Sequence, residues 1–335
     1  MYDRVEIFVE LGRRLESFGS DSSSKYVIAH AIEENGWFSE SDIRFAVAAI
    51  REKMLDRAKL ESQLSHYTLP VAKPLNTGVI CAGNIPLAGF FDLLCVLVSG
   101  HNLLLKPSSG DSVLMRHIVG LLKDIDPSIP VGEFGEVSAL IASGSDTTIG
   151  QLRSLYGDIP AIFRGTRRSA AILEGDESKA DLKRLCYDIF LYSGLGCRSV
   201  SHLFVPHGYD FEPLCSAMQN YRDINPKYKS GYRQLRSLLV MEEIEFINCG
   251  DCALLHDDGL SHKINLIHFS YYNTREDIAD IISKFISPLQ CIVSGDGFPC
   301  FGDAQRPELY DFPDSIDTLS WLSELQEAVS EKILG

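Results

Sequence analysis

Hydrophobic residues recur three and four positions apart through the first seventy residues, and this spacing predicts helices over VEIFVELGRRLESF, KYVIAHAIEENGWF and IRFAVAAIREKML. Ser39-Glu40-Ser41-Asp42 supplies a start signal for the third. From Thr77 the pattern changes to short apolar runs alternating with helical ones. GVICA (Gly78 to Ala82), NLLLK (Asn102 to Lys106), VSALIAS (Val137 to Ser143), PAIFRG and SAAIL read as strands. LAGFFDLLCVLVSG, SVLMRHIVGLLKDI and QLRSLYG read as the helices between them. Such alternation predicts an α/β fold with a parallel sheet covered on both faces. In the second half, helices are expected over Lys179 to Tyr192, DFEPLCSAMQNY, YRQLRSLLVMEEIEF and TREDIADIISKFI. The strands there are the run after Cys197, INLIHFS and LQCIVSG, and a last helix is capped near Ser315 to Asp317. There is no internal repeat, low-complexity segment or long linker.

Candidate chemistry collects where these elements meet. LCYDIFLYSGLGCRSV, Leu185 to Val200, runs from a helix through Gly194-Leu195-Gly196 to Cys197 and then into a strand. Glycines permit a close, positive-φ path that fixes a thiol in a turn between helix and strand. Cys197 therefore reads either as a reactive thiol or as a small packed residue at a helix stop. In the first half, Gly144-Ser145-x-x-x-x-Gly150 opens a helix and offers backbone N–H groups to an anion, or is a plain helix cap. It is neither a dinucleotide-binding GxGxxG nor a Walker motif. Lys106 ends an apolar strand and reaches out at the strand edge, and Asn84 lies in the turn Gly83-Asn84-Ile85-Pro86. His101, His117, His202, His207 and His268 are all candidate bases for Cys197, and none is singled out by position.

Composition narrows the class. The 335 residues suffice for two domains, and 45% hydrophobic with 23% charged residues is ordinary for a globular protein. A net charge of -15 argues against a general nucleic-acid or anionic-membrane partner. Nine cysteines in apolar contexts read as reduced, cytoplasmic usage, and the lone CxxC at Cys249 and Cys252 reads as packing rather than a metal or redox site. The N-terminal stretch lacks a signal-peptide layout, and the most apolar helix, Leu87 to Val98, falls short of the roughly twenty residues of a span. No metal site is expected.

Taken in order, GVICAGNIPLAG, SGHNLLLKPSS, SGSDTTIG and LYSGLGCRSVSHLFV resemble the cofactor and catalytic motifs of the aldehyde dehydrogenase superfamily, and within it the LuxC-type acyl-CoA reductases. The resemblance implies a Rossmann-type nicotinamide-cofactor domain over 71–175 and an α/β catalytic domain over 176–298. An N-terminal helical segment over 1–70 and a C-terminal tail over 299–335 complete the expected layout. It also implies that Cys197 is the catalytic thiol and that Asn84, with the Cys197 backbone N–H, forms the oxyanion hole. Lys106 and Ser109 would then lie at the cofactor's adenosine ribose, and Gly144, Ser145 and Ile149 at its pyrophosphate.

Two departures shape the expected activity. Aldehyde-oxidising members carry a glutamate base in an ELGG segment, and the corresponding stretch here, Ile162 to Thr166, has no acid. Without a base to activate water, an acyl group on Cys197 resists hydrolysis and waits for hydride. NAD-preferring members often carry a glutamate where this chain has Ser109, which leaves room for a 2′-phosphate and makes NADPH the expected cofactor, with NADH the alternative. Arg164, Arg167 and Arg168 are candidate helpers for that phosphate. The usual EIFGP segment has no clear counterpart near INLIHFS. The resemblance thus implies reduction of an acyl-CoA or acyl-carrier thioester to an aldehyde, and it leaves a homo-oligomer open. Alternatives are a cysteine acyltransferase or thioesterase without redox chemistry, and a non-catalytic scaffold of the same fold.

Overall fold

Ser39 caps its helix as the sequence signals. Its hydroxyl accepts the Asp42 N–H at 3.0 Å, and the Asp42 carboxylate accepts the Ser39 N–H at 3.2 Å, a capping box. The computed structural model describes residues 4–285, 289–296 and 299–325. Four helices precede the first strand: α1 (Arg4–Arg14), α2 (Ser22–Glu34), α3 (Glu40–Met54) and α4 (Arg57–Leu64). The periodicity of α1 to α3 buries Ile7, Phe8, Leu11, Ile28, Ile43 and Val47 in one core. Polar α4 escapes sequence reading because Leu60 is its only fully buried side chain.

The chain forms two compact units, one of 1–166 with 306–335 and one of 167–305. The first contains β1 (Asn76–Ile80), α5 (Phe90–Val98), β2 (Asn102–Lys106), α6 (Ser112–Ile125), β3 (Val131–Glu133), β4 (Ala139–Ser143), α7 (Asp146–Tyr156) and β5 (Ala161–Arg164). Its strands pair in parallel in the order β3-β2-β1-β4-β5. This is a Rossmann-type sheet, and the order reverses between β1 and β4, the point where such sheets bind ligands beyond their C-terminal ends. β3 is an edge strand of three mostly exposed residues, which leaves no apolar signal to read. Helix α7 starts at Asp146 rather than at Gln151, because Ser145 caps it by accepting the Thr148 N–H at 3.2 Å.

The second unit contains β6 (Arg168–Ile172), α8 (Lys179–Phe190), β7 (Val200–Pro206), α9 (Glu212–Asn220), α10 (Pro226–Met241), β8 (Ile247–Asn248), β9 (Ala253–His256), β10 (Leu266–Tyr272), α11 (Arg275–Ile282) and β11 (Leu289–Val293). Its sheet has the order β11-β6-β7-β10-β9-β8, parallel except for the terminal β8–β9 pair. SAAIL, read from sequence as closing the first half, is β6 and pairs with β7 and β11. An apolar run announces a buried strand but not the sheet that buries it. The start of α10 also differs from the sequence reading, because Pro226 sits at the first helical position behind the cap of Asn225. Cys215 on α9 and Cys249 after β8 are joined as a disulfide, contrary to the reduced usage read from composition. Their separation of 34 residues hides the pairing, and Cys252 keeps a thiol directed at the Asn265 carbonyl at 3.2 Å.

Candidate functional site

In the first unit, every turn that follows β1, β2, β4 or β5 emerges at the same C-terminal edge of the sheet. Asn84, Lys106, Ser109 and Ser145 are exposed there, and Gly144 is half-buried. The β1 and β2 turns interlock. A methyl group on Gly83 would strike the Ser108 side chain, and one on Gly110 would lie 2.9 Å from the Gly83 carbonyl oxygen. Asn35, at the end of α2, ties them further by donating from Nδ2 to the carbonyls of Gly83 and Gly110, at 3.2 and 3.0 Å.

A buried carboxyl supports the Asn84 turn from beneath. Asp111 occupies the position before α6, yet its side chain makes no cap bond there. Instead it reaches back to the Leu87 N–H at 2.8 Å, where Leu87 has a positive φ of 57°. Burial outweighs these N–H donors and lifts the Asp111 carboxyl to about 8. Asp111 and Asn35 are the supports that sequence reading missed, since no local pattern links them to residue 84.

The other first-unit residues differ in what they offer. Lys106 Nζ sits 5.7 Å from the Phe134 ring centroid at the edge. Ser109 is small and exposed, and Gly144 gives its N–H to the Arg164 carbonyl at 3.1 Å. Asp146, at the start of α7, accepts the Thr166 N–H at 2.8 Å. Ile149 is 6% exposed and packs with Ile80, Leu140, Ala142 and Leu152, so its side chain anchors α7 in the core. Arg164 is not a phosphate ligand in waiting. Its guanidinium is buried, 2.5 Å from Asp92 Oδ1 and 2.7 Å from Thr318 Oγ1, and the pair neutralises it.

These residues share the edge at which Rossmann-type sheets bind ligands. The switch point leaves an exposed cation, Lys106, beside a small hydroxyl, Ser109, at one strand end, and the start of α7 after Ser145 at the other.

In the second unit, α8 ends in a left-handed turn. Tyr192, Ser193 and Gly194 have φ of 54°, 54° and 66°, a path that costs side-chain-bearing residues about 1–2 kcal/mol each. Burial of Leu191, Tyr192 and Ser193 offsets that cost. A methyl group on Gly194 would lie 3.3 Å from the Ile189 carbonyl oxygen, so glycine suits this position on both counts. Half-buried Cys197 follows in a tight turn closed by the Ser199 N–H to the Gly196 carbonyl at 3.1 Å.

Neighbouring strands fix that turn. Ser169 on β6 donates from Oγ to the Cys197 carbonyl at 3.0 Å, and its N–H meets the Ser199 carbonyl at 3.3 Å. Gln305 donates to Ser199 Oγ at 3.2 Å. On α8, Asp188 accepts the N–H groups of Gly302 and Ala304, at 2.6 and 3.1 Å, and burial raises its carboxyl to about 7. Sequence reading passed over Ser169, because a serine in an apolar strand gives no signal of what it will face.

The histidines divide between the units. His101 accepts the Leu75 N–H at Nδ1 and faces the Leu322 carbonyl through Nε2, both at 3.0 Å, a structural staple of the first unit. His202 is buried in β7 with Nε2 2.9 Å from Ser270 Oγ, and burial pushes its pKa down to about 4. His268 faces the Gly259 carbonyl at 2.7 Å, while His207 stacks on Tyr271 and His117 lies against Phe18.

No protein-family model matches the chain, and no curated protein matches it in sequence. Solved structures do. It is similar to aldehyde dehydrogenase 21 from Physcomitrella patens, solved with the reaction product succinate, at a TM-score of 0.71 and 14% identity over 97% of this chain and 84% of that one. An aldehyde dehydrogenase from Mycobacterium tuberculosis, complexed with NAD+, matches at 0.63 and 13% identity over 90% and 75%. An NAD-dependent benzaldehyde dehydrogenase from Corynebacterium glutamicum matches at 0.62 and 15% identity over 87% and 75%. Among the described residues, no helix is long and apolar enough to cross a membrane. With a five-stranded Rossmann-type sheet in one unit and a thiol in the turn before a central strand of the other, the chain has the aldehyde dehydrogenase fold.

Proposed function

We propose that this protein is an acylating reductase that converts an acyl thioester, on coenzyme A or an acyl carrier, to the aldehyde. The observation that carries the reading is Cys197, a half-exposed thiol in a rigid turn within an aldehyde dehydrogenase fold. A second feature supports the reductive direction. The segment where aldehyde-oxidising members keep a glutamate holds Arg164, which is committed to Asp92 and Thr318 and cannot deprotonate water.

The Cys197 sulfur attacks the thioester carbonyl, forming a new carbon–sulfur bond, and the carrier thiol leaves with a proton. The Asn84 amide and the Cys197 backbone N–H are the proposed donors to the oxyanion. Lys106 and Ser109 would hold the adenosine ribose of the dinucleotide, and the start of α7 at Ser145 its pyrophosphate. Reduced nicotinamide, when bound, supplies the hydride. The acyl group becomes a thiohemiacetal on Cys197, which breaks its carbon–sulfur bond to release aldehyde. NADPH is the favoured cofactor because Ser109 presents no charge against a 2′-phosphate.

The test follows nicotinamide absorbance, with NADPH and with NADH, across acyl-CoA substrates of different chain length. Wild type is expected to oxidise NADPH in step with aldehyde formation and to gain one acyl mass when NADPH is withheld. Cys197→Ala should do neither. Acid or ester formed without loss of absorbance would replace this reading with an acyltransferase or thioesterase, and absence of both acylation and NADPH binding would leave a scaffold.

A further inference from the structure

The charges of α10 oppose the stability of the helix that bears them. It has no acid in its first turn and no base in its last, while Lys227 and Lys229 stand at the N-terminal end, where the helix dipole disfavours cations. Lys229, Arg233 and Arg236 follow one another at spacings of four and three, so like charges line one stripe and repel. Lys229 has Asp251 as a distant partner at 3.8 Å. Arg233 and Arg236 are exposed and enter no salt bridge among the described residues; Arg233 Nε reaches the Lys229 carbonyl of its own helix at 3.4 Å. The next position on the stripe is Val240, 62% exposed, with Leu238 and Met241 on the same final turns at 49% and 79%. A row of unneutralised cations thus ends in an uncovered apolar cluster.

The core face of the same helix ties this stripe to the Cys197 turn. Tyr228 is buried, and its hydroxyl donates to the Ile264 carbonyl at 2.9 Å. A methyl group on Gly194 would lie 3.5 Å from that same oxygen, and Gly194 leads into Cys197 three residues later. Phe190, at the end of α8, meets Tyr228 edge-on with ring centroids 5.9 Å apart. The cationic end of α10 is therefore fixed to the segment that carries the thiol.

We propose that the outer face of α10 is the docking surface for an acidic acyl-carrier protein, which brings the thioester to Cys197. This rests on the reductase reading and chooses, within it, a protein-borne thioester over coenzyme A. Charge complementarity selects the partner. The chain as a whole carries -15, so an extended anionic surface would meet mostly acid around the stripe. A small acidic protein touches the stripe alone, and charges farther off than about 8 Å are largely screened at physiological ionic strength. The apolar side of α10 is spent on Tyr228, Tyr232, Leu235 and Leu239 in the core, which leaves no broad face to enter a bilayer. Leu238, Val240 and Met241 offer instead a contact the size of one or two carrier side chains. Glu242, Glu243 and Glu245 follow the helix and bound the patch, so an acidic partner is oriented as well as attracted.

The test measures binding of a fatty-acid-synthase acyl carrier protein, loaded with an acyl group, by surface plasmon resonance without nicotinamide, and separately the reduction of that carrier and of the matching acyl-CoA. Wild type should bind the loaded carrier, more weakly as salt rises. Arg233→Glu combined with Arg236→Glu should slow association and raise the carrier Kd and KM by about tenfold or more, with kcat and the KM for acyl-CoA unchanged. Arg233→Lys combined with Arg236→Lys should bind nearly as wild type does, and Val240→Ser combined with Met241→Ser should weaken binding without altering its salt dependence. No carrier binding by wild type, or binding indifferent to the charge reversal, would overturn the proposal. So would capture by phosphatidylglycerol vesicles, or a self-associated state that the reversal dissolves, in place of carrier binding. Docking is read without chemistry. A protein that binds the carrier through α10 yet reduces no thioester keeps this surface and discards only the reductase, and one that reduces acyl-CoA without binding the carrier does the reverse.

Discussion

The turn carrying Asn84 and the turn carrying Cys197 are held by different physics. The first is an ordinary loop fixed from outside, by a buried carboxyl from Asp111, an amide from Asn35 and two glycines that let it press against the next turn. The second follows three consecutive left-handed residues and is pinned by uncharged donors, the Ser169 hydroxyl and N–H and the Gln305 amide. In the roles proposed above, an amide donor only has to be located, whereas a nucleophile must also be aimed, and a strained backbone restricts direction. The difference extends to pH, because the Asp111 support titrates and the Ser169 support does not.

The largest effect should come from the amide itself. Asn84→Ala is expected to slow turnover by about 10²–10³ while leaving the circular dichroism unchanged. A near-normal rate would remove Asn84 from the oxyanion role and leave its turn as scaffolding.

Loss of the first turn's support comes next. Asp111→Ala leaves the Leu87 N–H buried and unpaired, which costs about 1–3 kcal/mol and should lower the denaturant midpoint of the first unit. The pH dependence has a definite sign. Asp111 holds its proton in the folded state up to about 8 but releases it near 4 when unfolded. Its contribution is therefore complete below the unfolded value and is lost as pH rises through 8. Urea midpoints should fall from pH 5 to pH 9 in wild type and fall less in Asp111→Asn. Asp188, raised to about 7, adds a slope of the same sign in the second unit, and His202, lowered to about 4, opposes it below pH 6.5.

The smallest effect belongs to the hydroxyl. Ser169→Ala should cost about 1 kcal/mol, with the same penalty at pH 5 and pH 9. A penalty that changed with pH would mean that the second turn too is held through a titrating group.

Much of the fold is legible in the sequence because its strands are apolar on both faces and its helices carry strong periodicity. NLLLK and SVLMRHIVGLLKDI coincide with β2 and α6 end to end. What sequence could not supply were partners distant along the chain. Asp111 and Ser169 gave no signal of their own, Arg164 was a candidate for a phosphate, and Cys215 was one of nine cysteines read as reduced. Each acquires its role from a residue that only the folded chain brings to it. Short β3 and β8 were unreadable because they lie at sheet edges and bury little, and β9, of four residues, is too short for its buried Ala253 and Leu254 to show a pattern.

The first unit is completed by the end of the chain. Leu319, Leu322 and Leu325 enter its core, Thr318 accepts a hydrogen bond from the buried Arg164, Leu322 meets His101, and Asp317 accepts the Tyr67 hydroxyl. During synthesis these residues leave the ribosome after the whole second unit has been made. The nascent first unit therefore carries an open apolar seam and an arginine and a histidine each lacking one partner, while the second unit can close ahead of it. Order of synthesis and order of completion are thus reversed, and the first unit is the part most in need of protection as it emerges.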